Sequence, residues 1–105
     1  MTKAEYIQFF ESRAADKLAL TKAKNDDYSA GADPFANFTR VEALGICSAE
    51  QGFLVRMTDK MSRLSSFVQR GELSVKDESV DDTLKDLSIY ADLFAAYLKS
   101  KRGSK

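Results

Sequence analysis

The sequence has no histidine and no tryptophan, and it contains one cysteine, Cys47, and one proline. A single cysteine cannot form an intrachain disulfide. The absence of histidine excludes Cys/His zinc sites and every catalytic site that pairs a serine or cysteine with an imidazole. Carboxylate chemistry remains open, above all Asp and Glu side chains that hold a hard cation such as Mg²⁺.

An excess of charge of one sign is also missing, because 16 basic and 16 acidic residues give a formal net charge of +0. This balance argues against a nucleic-acid polymer as partner. No apolar run approaches the ~18 residues of a membrane span, and the first residues lack a signal-peptide core. We therefore expect a cytoplasmic protein without membrane association, with one domain over residues 1–100 and a flexible basic tail at 101–105.

Helix signals, by contrast, are frequent, and no strand pattern competes with them. Thr2 and Glu5 fit a capping box that opens a first helix, which we expect to end near Lys24. A loop rich in turn-forming residues follows. Asp33 is the expected N-cap of a short second helix that ends near Gly45.

The third helix is expected to begin at a second capping box, formed by Ser48 and Gln51, and to end at Gly71. Its apolar stripe is Phe53, Met57, Met61, Leu64 and Val68. The predicted core face of the fourth helix is Val80, Leu84, Leu87, Ala91, Phe94 and Leu98. The pattern predicts an all-α bundle of three long helices and one short helix.

The other side of the fourth helix is acidic at its start and apolar further along. Its residues are Glu78, Asp82, Asp86, Ile89, Leu93 and Tyr97. A helix with two apolar sides usually packs between two partners, either inside a bundle or at a homo-oligomer interface, and we expect a dimer or larger assembly. Because the three stacked carboxylates, here called the acidic column, repel one another, a bound cation, basic residues of another helix or simple solvation must explain them. Asp86 lies too far inside the helix to be explained by the helix dipole.

The third helix carries a cationic flank formed by Arg56, Lys60 and Arg63, with Asp59 beside it. The long stems of these side chains can lie along apolar surface while their charged ends reach a shared cleft. Two interpretations stay open, which are pairing with the acidic column and binding of phosphate groups. A cleft with carboxylates for Mg²⁺ and basic groups for phosphates suits a nucleoside polyphosphate.

Residues near the first loop complete the candidate site. Lys24 is expected to contact a phosphate, and Asn37 to bind a base edge or a sugar hydroxyl. Tyr28, Phe35 and Phe38 are candidates for stacking on the base, and Tyr28 is the better candidate because it lies outside any periodic apolar stripe. For Phe35 and Phe38, which are spaced by three residues, the alternative is that they are core residues of the short helix.

These segments together carry a family resemblance. They are Lys24-Asn25-x-Asp27-Tyr28, Asn37-Phe38, Arg56-x-x-Asp59-Lys60-x-x-Arg63-Leu64 and Asp77-Glu78-Ser79-Val80-x-Asp82-Thr83-Leu84-x-Asp86-Leu87-x-x-Tyr90-Ala91. In order and spacing they resemble the nucleotide-modification-associated domain family of phages and prophages. That family is similar to a divergent branch of the all-α, MazG-like nucleotide pyrophosphohydrolases.

The resemblance implies a homodimer or homotetramer that cuts a (d)NTP or modified nucleotide between its α and β phosphates with Mg²⁺ or Mn²⁺. The products are a nucleoside monophosphate and pyrophosphate, and a phage-encoded protein would act in the bacterial cytoplasm. The implied metal ligands are Glu78, Asp82 and Asp86, and the implied catalytic residues are Asp82, Asp86 and Asp59. The implied phosphate-binding residues are Lys24, Arg56, Lys60 and Arg63.

The chain departs from the pattern of the wider superfamily at two places. One motif glutamate falls on Thr83, and the third helix offers basic residues and Asp59 where the superfamily has glutamates. Fewer carboxylates indicate a weaker metal site. Two alternatives to hydrolysis stay open, which are a non-catalytic protein that sequesters a nucleotide and a small helical module that binds a protein partner.

Overall fold

The computed structural model describes residues 1–28, 33–71 and 79–101, with side chains for all of these except 25–28. Its helices are α1 (Lys3–Tyr28), α2 (Ala36–Ala43), α3 (Ala49–Arg70) and α4 (Val80–Lys101). The described ranges contain no strand. The prediction of an all-α chain with three long helices and one short helix is therefore confirmed. The chain divides into two compact units, Met1–Pro34 and Phe35–Lys105.

The first unit consists of α1, which begins at the predicted capping box. The Glu5 N–H donates to Thr2 Oγ1 and the Thr2 N–H donates to Glu5 Oε1, both at 3.1 Å. These hydrogen bonds hold the pKa of the Glu5 carboxyl below its usual value. The helix continues to Tyr28, past the predicted end at Lys24. Asn and Asp cost at most about 0.7 kcal/mol each relative to Ala, which is too little to end a long helix.

Large apolar side chains are exposed on the first turns of α1. The rings of Tyr6 and Phe10 lie 6.4 Å apart, and the Arg13 guanidinium lies 5.8 Å from the centre of the Phe9 ring. All three aromatic side chains are exposed. Within the described ranges, no helix is long and apolar enough to cross a bilayer.

The short helix α2 begins later than the sequence predicts, because its N-cap is Phe35 and not Asp33. The Phe35 carbonyl accepts from the N–H groups of Phe38 at 2.9 Å and Thr39 at 3.0 Å. The Phe35 ring packs edge-on against Tyr97, with ring centroids 5.5 Å apart. Tertiary packing at Phe35 therefore contributes to the start of this helix, two residues after the predicted N-cap Asp33.

The ends of α3 agree with the sequence. Ser48 and Gln51 form the predicted capping box, with Gln51 N–H to Ser48 Oγ at 3.1 Å and Ser48 N–H to Gln51 Oε1 at 3.0 Å. Gly71 ends the helix with a backbone φ angle of 79°, a left-handed conformation that favours glycine. Glu42 adds a second contact at the start of α3, because its Oε2 accepts from the Ala49 N–H at 2.6 Å.

α4 begins at Val80 because Ser79 caps it. The Ser79 hydroxyl accepts from the Asp82 N–H at 3.0 Å. The helix extends to Lys101, so the expected flexible tail contributes its first residue to α4, and residues 102–105 lie outside the described ranges.

The core of the second unit is a stack of aromatic rings between α2, α3 and α4. Phe53 of α3 is fully buried. Its ring stacks on Phe38 with centroids 3.8 Å apart and on Phe94 with centroids 4.8 Å apart. Tyr97 lies 5.5 Å from the same ring. Contacts near opposite ends of α3 and α4 show that the two helices run antiparallel, and we call this pair the α3–α4 hairpin.

The buried side of α4 differs from the predicted core face. Thr83 and Tyr97 are its buried side chains, whereas Leu84 and Ala91 of the predicted face are exposed. At 3.6 residues per turn, the observed face is rotated by about 80° from the predicted one, toward the side carrying Tyr97. The prediction was wrong because apolar residues cover both flanks of this helix, and periodicity alone does not choose between them. The Phe53 ring contacts Phe94 of one flank and Tyr97 of the other.

Candidate functional site

The cationic flank and the acidic column meet in one ion pair inside the α3–α4 hairpin. Lys60 Nζ lies 3.3 Å from Asp86 Oδ2, and the two side chains are 13% and 21% exposed. Lys60 lies two helical turns along α3 from Phe53, so the pair occupies the same interhelical seam as the aromatic core. This contact supports the interpretation that a basic residue of another helix balances Asp86.

Asp59 and Arg63 form a second, more exposed pair along α3. Arg63 Nη2 lies 3.5 Å from Asp59 Oδ2, with the residues four apart in sequence. Pairs of this kind contribute a few tenths of a kcal/mol. The third member of the cationic flank, Arg56, is exposed one turn before Lys60. Asp59 therefore lies beside a guanidinium group, where it lowers the local positive charge.

The carboxylates that the structure describes are not assembled into a Mg²⁺ site. Asp86 lies against the Lys60 ammonium, and Asp82 is exposed in the first turn of α4. Among the residues that the structure describes, no group of three or more Asp, Glu or Cys side chains is placed to hold a metal ion. An ammonium beside the central carboxylate opposes a second cation at that position. Glu78, the remaining implied ligand, lies outside the described residues.

Thr83 is the residue on which the motif glutamate falls in the family resemblance suggested by the sequence. It is fully buried, and its hydroxyl donates to the Ser79 carbonyl at 3.4 Å. The fourth helix therefore presents a small neutral group to the interior at this position. A carboxylate here would need a partner to offset its desolvation.

The remaining candidate residues for binding the base, the sugar and a phosphate lie in different environments. Phe38 is buried and stacked on Phe53, so the structure supports the alternative that it is a core residue. Asn37 is exposed, and its Oδ1 accepts from Arg40 Nη1 at 3.5 Å. Lys24 is partly buried on α1, and the Tyr28 side chain lies outside the described part of the chain.

The sequence did not predict an ion pair between the start of α3 and the end of α4. Lys101 Nζ donates to Glu50 Oε2 at 2.7 Å, across 51 positions of sequence. Glu50 Oε1 is buried and has no hydrogen-bond partner within the described residues. The hydrogen bond from Lys101 lowers the pKa of Glu50, and the same bond raises the pKa of Lys101. No local sequence signal indicates this pair, because the two residues are far apart in the chain.

The Glu50–Lys101 pair predicts a pH-dependent contribution to stability. Glu50 contributes above its unfolded pKa near 4.5, and the contribution is lost as the pH falls through the lowered folded value. Lys101 contributes below 10.5, and its contribution is lost as the pH rises through the raised folded value. Lys101→Met is therefore expected to lower the melting temperature slightly at neutral pH and not in strong acid. Thermal melts across pH measure this, with Lys99→Met as the matched control.

If the two variants show the same difference from wild type at every pH, the pair contributes nothing beyond general surface charge.

The roles considered for the site residues depend on the contacts described above and on the motif resemblance. No protein-family model matches the chain, and no curated protein or solved structure is significantly similar to it.

Proposed function

We propose that the chain binds the phosphate groups of a nucleotide along the cationic flank of α3. The observation that carries this proposal is the row of basic residues on one flank of α3, in which Arg56 is exposed and Lys60 and Arg63 have carboxylate partners that a phosphate can displace. Arg56 and Arg63 are seven residues apart, a rise of about 10 Å along the helix axis. A row of Arg and Lys donors at this spacing suits the oxygens of a phosphate chain, to which guanidinium groups bind in a bidentate way.

A phosphate group arriving at this flank meets cations that already have carboxylate partners. It has to compete with Asp59 for Arg63 and with Asp86 for Lys60. A polyphosphate carries more negative charge than a carboxylate and offers several acceptor oxygens, so it is the stronger partner. Binding is then an exchange of ion pairs, and its affinity should fall as salt screens the charges.

Binding without turnover is the form of this function that the described carboxylates support best. Asp86 is paired with an ammonium and Asp59 lies beside a guanidinium, so neither provides the open carboxylate that a metal-dependent cut requires. A protein of this kind sequesters a nucleotide. The proposal uses no metal ion.

The pyrophosphohydrolase activity implied by the resemblance is the second candidate. The observation in its favour is that Asp82 and Asp86 lie one turn apart on α4, next to a Lys that suits a phosphate. With Mg²⁺ or Mn²⁺, these carboxylates and Glu78 would be the ligands, and the metal would polarise the phosphate and activate water. The same variants distinguish this candidate from simple binding.

Calorimetric titration with a panel of NTPs and dNTPs tests the proposal, together with phosphorus-detected product analysis with and without metal. We expect binding that needs no metal and weakens with salt. Arg63→Gln should weaken binding about tenfold, the loss of one charge-assisted phosphate contact. Lys99→Gln, which removes an exposed cation of α4 outside the cationic flank, is the matched control.

Asp59→Asn separates the two candidates, because they predict opposite outcomes. If Asp59 competes with phosphate for Arg63, its removal should tighten binding by a factor of about two to five, the strength of an exposed pair. If Asp59 is a metal ligand or orients water, the variant should lose turnover. Pyrophosphate that appears only with metal, and not with Asp86→Asn, would establish the hydrolase. A protein that shows neither binding nor turnover would contradict both candidates.

A further inference from the structure

Lys60 occupies the place beside a carboxylate that a divalent cation takes in a metal-dependent phosphate site. A Mg²⁺ ion in such a site is bound by one or two carboxylates together with phosphate oxygens of the ligand. In this chain the cation beside the carboxylate is an ammonium, with Lys60 Nζ 3.3 Å from Asp86 Oδ2. The positive charge that a metal ion would supply is therefore part of the polypeptide.

A metal ion on the same carboxylate oxygen would lie very close to this ammonium. Mg²⁺ binds oxygen at about 2.1 Å. Because Asp86 Oδ2 is 3.3 Å from Lys60 Nζ, the ion would be at most about 5.4 Å from the nitrogen. Both side chains are mostly buried, so water screens the repulsion only in part. Lys60 in its observed position thus opposes a metal ion at Asp86.

The donors of the cationic flank also need the same phosphate oxygens that a bound metal ion uses. Arg56 lies four residues before Lys60, and Arg63 lies three residues after it. Guanidinium and ammonium groups bind phosphate oxygens through their N–H donors. In a complex of Mg²⁺ with a triphosphate, the metal holds oxygens of neighbouring phosphates and neutralises part of their charge. Such a complex offers the flank fewer acceptors and a weaker attraction.

The carboxylates near the flank do not reverse this preference. A site that selects the metal-bound form of a phosphate turns open carboxylates toward the metal. Asp86 is paired with Lys60, and Asp59 Oδ2 lies 3.5 Å from Arg63 Nη2. Asp82 is exposed in the first turn of α4. Paired and exposed carboxylates of this kind favour a ligand that arrives without a metal ion.

We propose that this site takes the metal-free form of a phosphate ligand, with Lys60 in place of the metal ion, so that Mg²⁺ competes with the protein for the ligand. This selection rests on the phosphate binding proposed above, and it adds the chemical form of the ligand and the residue that selects it. The pyrophosphohydrolase candidate predicts the opposite effect of Mg²⁺, because there the metal joins the ligand to the carboxylates.

The preference among nucleotides then depends on the concentration of Mg²⁺. A triphosphate binds the metal through oxygens of its β and γ phosphates. A nucleoside monophosphate has no neighbouring phosphate with which to chelate the ion, so it stays available to the cationic flank. Mg²⁺ should therefore shift the selectivity of the site from triphosphates toward monophosphates.

Calorimetric titration in excess EDTA and in excess Mg²⁺, at matched ionic strength, measures this effect. The probes are ATP, AMP and inorganic triphosphate, which has no base. The affinity of wild type for the two triphosphates should fall about tenfold in Mg²⁺. Its affinity for AMP should change by less than about twofold.

Lys60→Gln identifies the residue that selects the metal-free form. This variant keeps Asp86 and removes the ammonium, so its affinity for inorganic triphosphate should differ by less than about threefold between the two buffers. Arg63→Gln is the matched control, because it removes a cation of the same flank that is paired with Asp59. The control should bind more weakly in both buffers and keep the tenfold difference. If Lys60→Gln does not fold, Lys60→Met combined with Asp86→Leu replaces it, with the same expected loss of the Mg²⁺ effect.

The outcomes separate this inference from phosphate binding itself. Tighter binding in Mg²⁺ than in EDTA would overturn the selection and leave phosphate binding established. An equal effect of Mg²⁺ on Lys60→Gln and Arg63→Gln would show that Lys60 does not select the ligand form. A chain that binds none of the probes in either buffer would overturn the phosphate site and the selection together.

Mg²⁺ alone provides a test that needs no nucleotide. A ligand that binds the folded chain raises its melting temperature. The melting temperature of wild type should be the same in EDTA and in millimolar Mg²⁺ at matched ionic strength. A rise with Mg²⁺ that Asp86→Asn abolishes would overturn the proposal, because the metal would then bind at Asp86 despite Lys60.

Discussion

Replacing Phe53 by alanine is expected to remove a large part of the stability of the second compact unit. The ring is fully buried and stacked on Phe38 at 3.8 Å and on Phe94 at 4.8 Å. Two rings stacked at these distances cannot share one face, so Phe53 is the central ring of three. Its truncation removes contacts to α2 and α4 together and leaves a cavity between them.

The expected loss is about 3–5 kcal/mol, which is typical of Phe→Ala in a core. A folded unit of this size has a total stability of roughly 4–10 kcal/mol. The substitution therefore removes a large part of the total. Phe53→Leu, which keeps most of the apolar volume, should cost about 1–1.5 kcal/mol.

Chemical denaturation followed by circular dichroism measures this effect. Val55→Ala is the matched control, because Val55 is an exposed apolar residue two positions away on the same helix. That variant should change the free energy of unfolding by less than about 0.5 kcal/mol. If Phe53→Ala unfolds at the same denaturant concentration as wild type, the aromatic stack is not the core that holds α2, α3 and α4 together.

The parts of the fold that the sequence predicts correctly are local. Each capping box is a contact between residues three apart, and the end of α3 at Gly71 depends on the conformation of one glycine. Such signals need no knowledge of the rest of the chain, because the whole interaction lies within one helical turn. The capping roles of Thr2, Glu5, Ser48 and Gln51 can therefore be predicted from sequence alone.

The start of α2 and the orientation of α4 depend on tertiary contacts, and there the predictions failed. Phe35 takes the N-cap position while its ring packs on Tyr97, which is remote in sequence. The buried face of α4 lies toward the side that carries Tyr97, because Phe53 packs against the rings of Tyr97 and Phe94. Two apolar flanks of similar strength leave this choice undetermined in a single sequence.

In the candidate site too, local features are predicted from the sequence and tertiary contacts are not. The spacing of Lys60 and Arg63 along a helix predicts that both side chains share one flank, and the position of Asp86 inside α4 indicates that its carboxylate needs a partner. Whether that partner is a metal ion or an ammonium depends on how α3 and α4 are aligned, which helix periodicity does not specify. The contact between Glu50 and Lys101 lies beyond prediction for the same reason.

Lys60 and Asp86 are expected to be coupled in stability, and their coupling can be measured by a double-mutant cycle. Lys60→Met removes the ammonium at 3.3 Å from Asp86 and leaves a carboxylate that is mostly withdrawn from water. Because both side chains retain some exposure, we expect a loss of about 1–3 kcal/mol, below the cost of breaking a fully buried pair. Asp86→Leu should cost a similar amount.

The double variant, Lys60→Met with Asp86→Leu, should be close to wild type in stability. Two apolar side chains of similar volume suit the seam beside the aromatic core, and replacing both members of a partly buried pair is often neutral or stabilising. The expected coupling energy is on the order of 1–3 kcal/mol from chemical denaturation. Additive losses in the double variant would show that the 3.3 Å contact contributes no net stability.

The same double variant shows how an inactive Asp86→Asn should be interpreted. If the single variant loses stability, then lost binding or turnover does not by itself assign a chemical role to Asp86. The double variant keeps the fold while removing both charges, so its nucleotide affinity reports on the site alone. If it binds as tightly as wild type, the phosphates are held by Arg56 and Arg63 without Lys60. If it folds and binds at least about tenfold more weakly, the ammonium in the seam contacts the ligand directly.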